Sequence, residues 1–140
     1  MSADTESLIG GCLCGAIRYR VAGPPEFVAQ CFCRDCQKAT GTGHTTILGV
    51  LESNLFVTGE PKIYSNIGET GGRVSRHFCG NCGGRLFTSG DLPGPMRMLQ
   101  AGSLDHPERI APTSALYVKD ANPWDMIDPT LPRFERLRPR

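Results

Sequence analysis

The sequence predicts a mainly β domain made of short strands joined by many turns. Its 140 residues are enough for one ordinary domain and too few for two well-buried cores. The chain contains 17 glycines and 11 prolines, a share that favours frequent turns without reaching the level typical of disorder. Apolar residues alternate over short segments, and only residues 35–40 indicate a helical turn.

The clearest strand candidate is AIRYRV, residues 16–21. Ile17, Tyr19 and Val21 lie on one face of an extended chain, whereas the two arginines between them lie on the other. Turn-forming Gly and Pro residues separate most of the other candidates. These weaker strand candidates are residues 45–51, 54–57, 73–78, 85–89 and 96–102.

Proline and charge distinguish the ends of the chain from its middle. From Pro112 onward, Pro123, Pro129 and Pro132 exclude a long regular element. We expect an N-terminal extension over residues 1–9, one domain over 10–130 and a basic tail over 131–140. The tail is expected to be a solvated terminus, and its basic residues are Arg133, Arg136, Arg138 and Arg140.

The overall charge gives no indication of a polyanionic partner. The formal net charge is +1, so we expect binding neither to nucleic acid nor to an anionic membrane. No segment is apolar for long enough to cross a bilayer, and the N-terminus has neither the basic start nor the apolar core of a secretory signal. We therefore expect a cytoplasmic, reducing location, where disulfides are rare. The oligomeric state stays open.

Seven cysteines in such a chain are typical of thiolate ligands rather than crosslinks, and an odd number leaves one without a disulfide partner. In an extended chain, Cys12 and Cys14 lie on the same side. A tight turn with glycine allows Cys79 and Cys82 to bind one zinc ion, so each pair is half of a tetrahedral site. The third group comprises Cys31, Cys33 and Cys36.

The cysteine count favours a division into four ligands and three. The two pairs together form a closed four-thiolate site, and the remaining three leave a fourth position free, which is the pattern of a reactive zinc site. Spacing alone leaves other arrangements open. Cys33 and Cys36 also fit with either pair, and four cysteines can form one structural site with the others spare. A redox CxxC is weaker, because the expected βαβ context is missing.

Several segments together resemble a known family. They are GGCLCGAIRYRV, CFCRDCQKATG, HFCGNCGGRLF and AGSLDHPERIAP, followed by a late Trp124. In this order they resemble the glutathione-dependent formaldehyde-activating enzyme (GFA) family, also called the CENP-V/GFA domain family, from about Gly10 to Trp124. The resemblance implies an Mss4-like (β-tent), zinc-stabilised fold of short antiparallel strands.

The resemblance also implies two zinc ions and a reaction. In the family, the CxC and the distal CxxC bind a structural zinc, here through Cys12, Cys14, Cys79 and Cys82. The CxCxxC binds a catalytic zinc, and that site can be partly empty; its ligands here are Cys31, Cys33 and Cys36. The implied enzyme is a carbon–sulfur lyase or synthase that acts on a thiol–aldehyde adduct such as S-hydroxymethylglutathione. Its partner is glutathione or another small thiol, and the alternative is a non-enzymatic zinc scaffold that binds other molecules.

Two cations close to the CxCxxC motif are candidates for tuning its charge. Three thiolates on one Zn²⁺ leave a single net negative charge, which weakens the Lewis acidity of the ion. Arg34 and Lys38 are close enough in sequence to offset this charge. Surface roles remain the alternative for both.

The histidines are weaker candidates for chemistry. His44 follows a flexible Gly-Thr-Gly and is a candidate base or substrate contact, and His77 is a lesser one. We expect His106 in a turn. Asp105 and Glu108 have no partner at a recognisable acid–base spacing, so turn and surface roles are expected for them as well.

Overall fold

Ten short strands and one α-helix form the regular structure of the described residues, 7–91 and 94–138 of a computed structural model. The helix, α1, spans Arg34–Thr40. Short 3-10 helices fill some connections, including Ala101–Ser103 and Val118–Asp120. The strands are β1 (Leu8–Gly11), β2 (Arg18–Val21), β3 (Phe27–Cys31), β4 (Thr45–Leu51), β5 (Leu55–Thr58), β6 (Lys62–Ile67), β7 (Arg73–Phe78), β8 (Arg85–Gly90), β9 (Met96–Gln100) and β10 (Ser114–Leu116).

These strands form two sheets. The smaller sheet is antiparallel and has the order β1–β2–β5. The larger sheet has seven strands in the order β10–β3–β4–β9–β8–β7–β6, and all its pairs are antiparallel except β10 with β3. The predicted fold class, a mainly β, Mss4-like (β-tent) arrangement of short antiparallel strands, is confirmed.

The sequence pattern located some strands and missed others. β4 and β7 have the predicted bounds, β2 begins two residues later than predicted, and α1 is the predicted helical turn with one more residue. β3 was missed because consecutive residues in it are buried, which removes the alternation that marks a half-buried strand. β6 was missed for the opposite reason, since it is a largely exposed edge strand. β1 and β10 are short and were also missed.

The two faces of the seven-stranded sheet have different roles. One face packs against the smaller sheet, and the predicted inner face of β2 contributes to that core. The opposite face carries a smaller apolar cluster built around Ala29, Cys31, Leu116 and Tyr117. The main core includes Ile17, Tyr19, Val21, Leu48, Val50, Leu86, Leu99 and Leu104.

Residues after β10 return to pair with it. Phe134 donates its backbone N–H to the Ala115 carbonyl at 2.9 Å, and Ala115 donates to the Pro132 carbonyl at 2.9 Å. The backbone of the basic tail is therefore partly ordered against the sheet, while the Arg136 side chain stays exposed and pairs with Glu69.

The two ends of the chain reach beyond the described residues. Residues 1–6 of the expected N-terminal extension and Arg140 of the tail lie outside them. No helix within the described part is long and apolar enough to span a membrane.

Candidate metal centres and the cavity

Four cysteines from two distant segments meet in one cluster. The Sγ atoms of Cys12, Cys14, Cys79 and Cys82 all lie within 4.8 Å of one another. Cys14 Sγ lies 3.7 Å from Cys12 Sγ and 3.8 Å from Cys79 Sγ, and all four are free thiols rather than disulfides. A tetrahedral zinc with Zn–S bonds of about 2.3 Å has S–S edges of about 3.8 Å. The cluster therefore fits one tetrahedral metal ion.

Backbone turns aim N–H groups at these sulfurs. The turn after β7 closes through a hydrogen bond from Gly83 N to the Cys79 carbonyl at 2.8 Å, and Gly83 has the positive φ of 77° that such a turn favours in glycine. Asn81 N donates to Cys79 Sγ at 3.3 Å, and Gly84 N donates to Cys82 Sγ at 3.4 Å. N–H groups of Cys14 and Gly84 lower the pKa of the Cys82 thiol to about 6, which favours its thiolate form.

The remaining three cysteines form a second cluster at the start of α1. Cys31 ends β3, Cys33 is the N-cap of the helix, and Cys36 lies in its first turn. Their Sγ atoms lie within 4.8 Å of one another, and Cys36 N donates to Cys33 Sγ at 3.3 Å. The division into four cysteines and three is therefore the one that the structure shows, and Cys33 and Cys36 join neither pair.

Gln37 fixes the helix that carries this second cluster. Its side chain is buried, and its Nε2 donates to the Phe32 carbonyl at 2.7 Å and to the Asp120 carbonyl at 3.0 Å. Its Oε1 accepts hydrogen bonds from Arg34 Nη1 and, at 3.1 Å, from Asn122 Nδ2. One amide thus joins α1 to the chain after β10, so the three sulfurs are held by a rigid support.

The three thiols strongly perturb one another. Hydrogen bonding to Cys33 and Cys36, together with burial, raises the pKa of the Cys31 thiol well above its usual range. The same contacts act oppositely on Cys33 and lower its pKa to about 2. A cation bound among the three sulfurs would favour the thiolate form of all of them.

A cavity of about 930 Å³ opens directly onto the three-cysteine cluster. Cys31, Cys33 and Cys36 all line it, whereas none of the four-cysteine cluster does so in the part of the chain that the structure describes. Its floor is the second face of the seven-stranded sheet, and its size lies within the range of small-molecule sites. The residues that line the floor include Ala29, Thr45, Arg76, Thr88, Met98 and Ser114, which lie on six different strands.

The cations nearest to the cluster in space differ in part from those nearest in sequence. Arg34 lines the cavity, as its position next to Cys33 indicates, but Lys38 lines a smaller neighbouring hollow instead. Arg76 and Arg85, from β7 and β8, line both spaces, and both interact electrostatically with Cys36. Their contribution depends on the pairing of distant strands, so local sequence reasoning missed them.

The candidate histidines lie away from the cavity. His44 Nδ1 donates to Asp125 Oδ2 at 2.7 Å, and its ring packs 4.7 Å from the Phe32 ring. His77 stacks on Phe87 with 4.2 Å between centroids, and burial lowers its pKa. Neither side chain is among the described residues that line the cavity, so both have structural contacts where the sequence suggested chemistry.

The expected surface roles near His106 hold in part. His106 precedes a 3-10 turn and pairs with Glu108 at 3.4 Å, both side chains being largely exposed. Asp105, however, has a partner that sequence spacing did not indicate. Arg18 from β2 forms a two-pronged salt bridge with its carboxylate, with distances of 2.9 and 2.5 Å.

Tyr117 was also missed by sequence reasoning. It is the one non-glycine residue with positive φ, 56°, among residues 7–91 and 94–138, and it lies buried on the cavity wall in the same apolar cluster as Cys31. Backbone strain of this kind is concentrated at functional sites. Burial raises the pKa of its phenol, so the hydroxyl keeps its proton near neutral pH.

Comparisons with known proteins give a family and a fold. A family model described as glutathione-dependent formaldehyde-activating enzyme matches residues 7–120. A protein of Halomonas elongata, provisionally named as a glutathione-dependent formaldehyde-activating enzyme, is 36% identical over 85 residues, which cover 57% of this chain and 54% of that protein. This chain therefore spans about half the length of that relative.

A solved structure of low sequence identity agrees with the fold. It is the crystal structure of a Rhodobacter sphaeroides protein from a structural genomics programme, and it has 17% identity and a TM-score of 0.57. The superposition covers 90% of this chain and 99% of that one. At this identity, the likeness shows the fold alone.

We predict that Gln37→Leu lowers the free energy of unfolding by about 1–3 kcal/mol for each buried group left without a partner. The substitution removes the amide that joins α1 to the Phe32 and Asp120 carbonyls. Urea unfolding followed by circular dichroism measures the change. Lys38→Ala, on the exposed side of the same helix, is the control and should stay within about 0.5 kcal/mol of the parent. Equal stability of the two variants would contradict the anchoring role of Gln37.

Proposed function

Because the chain belongs to the glutathione-dependent formaldehyde-activating enzyme family, we propose that it is a zinc-dependent carbon–sulfur lyase or synthase acting on a thiol–aldehyde adduct such as S-hydroxymethylglutathione. The observation that carries the proposal is the cluster of Cys31, Cys33 and Cys36 at the wall of a cavity large enough for a small molecule. A scaffold that only binds other macromolecules has no need of three clustered thiols in such a cavity.

The two cysteine clusters suit two zinc ions with different roles. Four thiolates at tetrahedral spacing form a closed, structural site, and three thiolates leave one position for a substrate. We assign the structural zinc to Cys12, Cys14, Cys79 and Cys82, and the catalytic zinc to Cys31, Cys33 and Cys36. Zinc is favoured over a disulfide-based role because all seven cysteines are free.

The proposed reaction adds a thiol to formaldehyde. A C–S bond forms while the π bond of the aldehyde C=O and the S–H bond of the thiol break. The proton ends on the aldehyde oxygen, which becomes the hydroxyl of the adduct, and no electrons are exchanged with another molecule. A zinc ion held by the three cysteines would supply Lewis acidity, which favours the thiolate form of the incoming thiol. The cavity confines the two reactants near the cysteines and so lowers the entropic cost of their encounter.

The protein supplies charge and a proton donor around the three cysteines. Arg76 and Arg85 place positive charge near Cys36, which offsets the negative charge of a three-thiolate zinc site. Tyr117 keeps its proton at neutral pH because burial raises its pKa, and we propose its hydroxyl as a hydrogen-bond donor to the aldehyde oxygen. Free thiols suit a reducing compartment, so we also propose a cytoplasmic location. We propose a small-molecule thiol as the partner, with glutathione as the first choice.

The activity test compares the two cysteine clusters by mutation. We predict that the zinc-loaded protein accelerates exchange between ¹³C-formaldehyde and S-hydroxymethylglutathione, measured by NMR exchange spectroscopy. Cys33→Ser should reduce the exchange to the uncatalysed rate and keep the circular dichroism spectrum of the parent, because its cluster lies within six consecutive residues. Unchanged exchange in Cys33→Ser, or no acceleration by the parent with any thiol, would contradict the proposal.

The same substitution in the other cluster is the matched control. Structural zinc contributes roughly 10–16 kcal/mol of apparent binding free energy in small peptides, whereas a domain is stable by only about 5–15 kcal/mol. Cys79→Ser should therefore be unfolded or insoluble. A folded, metal-retaining Cys79→Ser beside an unfolded Cys33→Ser would show that the two roles are reversed.

We predict that a mild chelator removes the two zinc ions in two separate steps. The three-cysteine site should lose its ion first, because it offers one fewer protein ligand and opens onto the cavity. Zinc released, activity and circular dichroism are followed together during the titration. The expected result is loss of activity with the fold retained, and simultaneous loss of both ions with unfolding would contradict the assignment.

A further inference from the structure

A second, smaller hollow adjoins the cysteine cavity. Its volume is about 420 Å³. The two spaces share wall residues, so the wall that separates them is formed in part by two arginine side chains, Arg76 and Arg85. The residues that line both spaces are Asp35, Ala39, Arg76 and Arg85.

The smaller hollow has an excess of positive charge. Lys38, Arg76 and Arg85 line it, and Asp35 is its single acidic residue among those the structure describes. The Asp35 carboxylate accepts a hydrogen bond from Asn66 Nδ2 at 3.4 Å rather than one from a guanidinium. A ligand in this space would therefore meet two more positive charges than negative ones.

The two arginines keep most of their hydrogen-bonding capacity for other partners. Arg76 Nη1 donates to Asn66 Oδ1, and Arg85 Nη1 donates to the Ala39 carbonyl at 2.6 Å. These are their hydrogen bonds within residues 7–91 and 94–138, and neither side chain has an Asp or Glu within ion-pair distance there. Burial, and then the charge of Arg76, lower the pKa of Arg85, so the fold holds two like charges together at a cost.

The metal site accounts for only part of this positive charge. Both guanidiniums interact with Cys36, but a zinc ion with three thiolates carries a single net negative charge. The smaller hollow, with Lys38 and the two guanidiniums against Asp35, has an excess of two positive charges and so exceeds that charge by one. The excess matches an anionic group on the ligand, and a planar guanidinium binds a carboxylate through two parallel hydrogen bonds.

We propose that Arg76 and Arg85 form a carboxylate subsite that makes the protein selective for anionic thiols. The sulfur of such a thiol lies at the three cysteines, and its carboxylate lies between the two guanidiniums at the boundary of the two spaces. The inference rests on the proposed function, since it names the substrate class of the same site. Glutathione belongs to this class, and neutral thiols do not.

The test compares a charged and a neutral thiol of the same length. Binding of 3-mercaptopropionate and of 3-mercapto-1-propanol to the zinc-loaded protein is measured by calorimetry, with no formaldehyde present. The parent should prefer the carboxylate. Arg76→Gln should weaken 3-mercaptopropionate binding by about tenfold to a hundredfold, the value of charge-assisted hydrogen bonds. It should weaken binding of the neutral thiol much less, because that thiol loses only the positive charge near Cys36.

Two further variants exclude indirect effects. Arg73→Gln removes the same charge from an exposed position on the same strand, outside both spaces, and should behave as the parent. Arg76→Lys keeps the charge without the two-pronged geometry and should recover part of the affinity for the carboxylate. Zinc content and circular dichroism, measured for every variant, confirm that each one is folded and loaded with zinc before its thiol affinities are compared.

The outcomes separate this inference from the proposed function. Equal weakening of both thiols in Arg76→Gln, or no weakening of either, would overturn the carboxylate subsite even if the parent catalyses the exchange. Selective weakening of 3-mercaptopropionate would support the subsite even if the parent shows no exchange with formaldehyde, a result that would count against the proposed reaction alone.

Discussion

The sulfur atoms of Cys12, Cys14, Cys79 and Cys82 lie within 4.8 Å of one another, and thiolates at this spacing repel one another strongly unless a cation lies among them. The contact joins segments 65 residues apart, the loop after β1 and the turn after β7. Cys12 and Cys79 also belong to the core between the two sheets. The position of the smaller sheet on the larger one therefore depends on this cluster, and the cavity depends on the larger sheet.

The two faces of the larger sheet carry different features. One face packs the apolar core, which includes Cys12 and Cys79 of the four-cysteine cluster, and the other carries the cavity and the three-cysteine cluster. The second cluster lies within six consecutive residues, so its sulfurs need no distant chain segment to meet. Their positions do depend on the orientation of α1, which the Gln37 side chain fixes by donating hydrogen bonds to the Phe32 and Asp120 carbonyls. A ligand can therefore enter or leave the cavity beside the three-cysteine cluster without disturbing the core on the other face of the sheet.

The sequence was sufficient for the two cysteine groups and insufficient for the rest of the candidate site. Cysteine spacing is a local property, so the count of four and three followed from the motifs, although only the structure excluded other groupings of Cys33 and Cys36. Arg76 and Arg85 reach the cavity through the pairing of β7 with β8, which no local pattern reveals. The contact of His44 with Asp125, 81 residues away, is likewise one that no local pattern reveals. Strand prediction failed for β3, which is buried on both faces, and for β6, which is an exposed edge strand. Neither strand shows the alternation of apolar and polar residues on which the prediction relies.

The central claim is that Cys31, Cys33 and Cys36 form an open metal site distinct from the closed site of the other four cysteines. Anomalous diffraction at the zinc edge, on crystals of protein purified without chelator, tests it most directly. We expect two peaks per chain, one surrounded by four Sγ atoms and one bound by three Sγ atoms with its fourth ligand in the cavity. A single peak at the four-cysteine cluster, with the other three cysteines free or joined in a disulfide after zinc has been added, would contradict it.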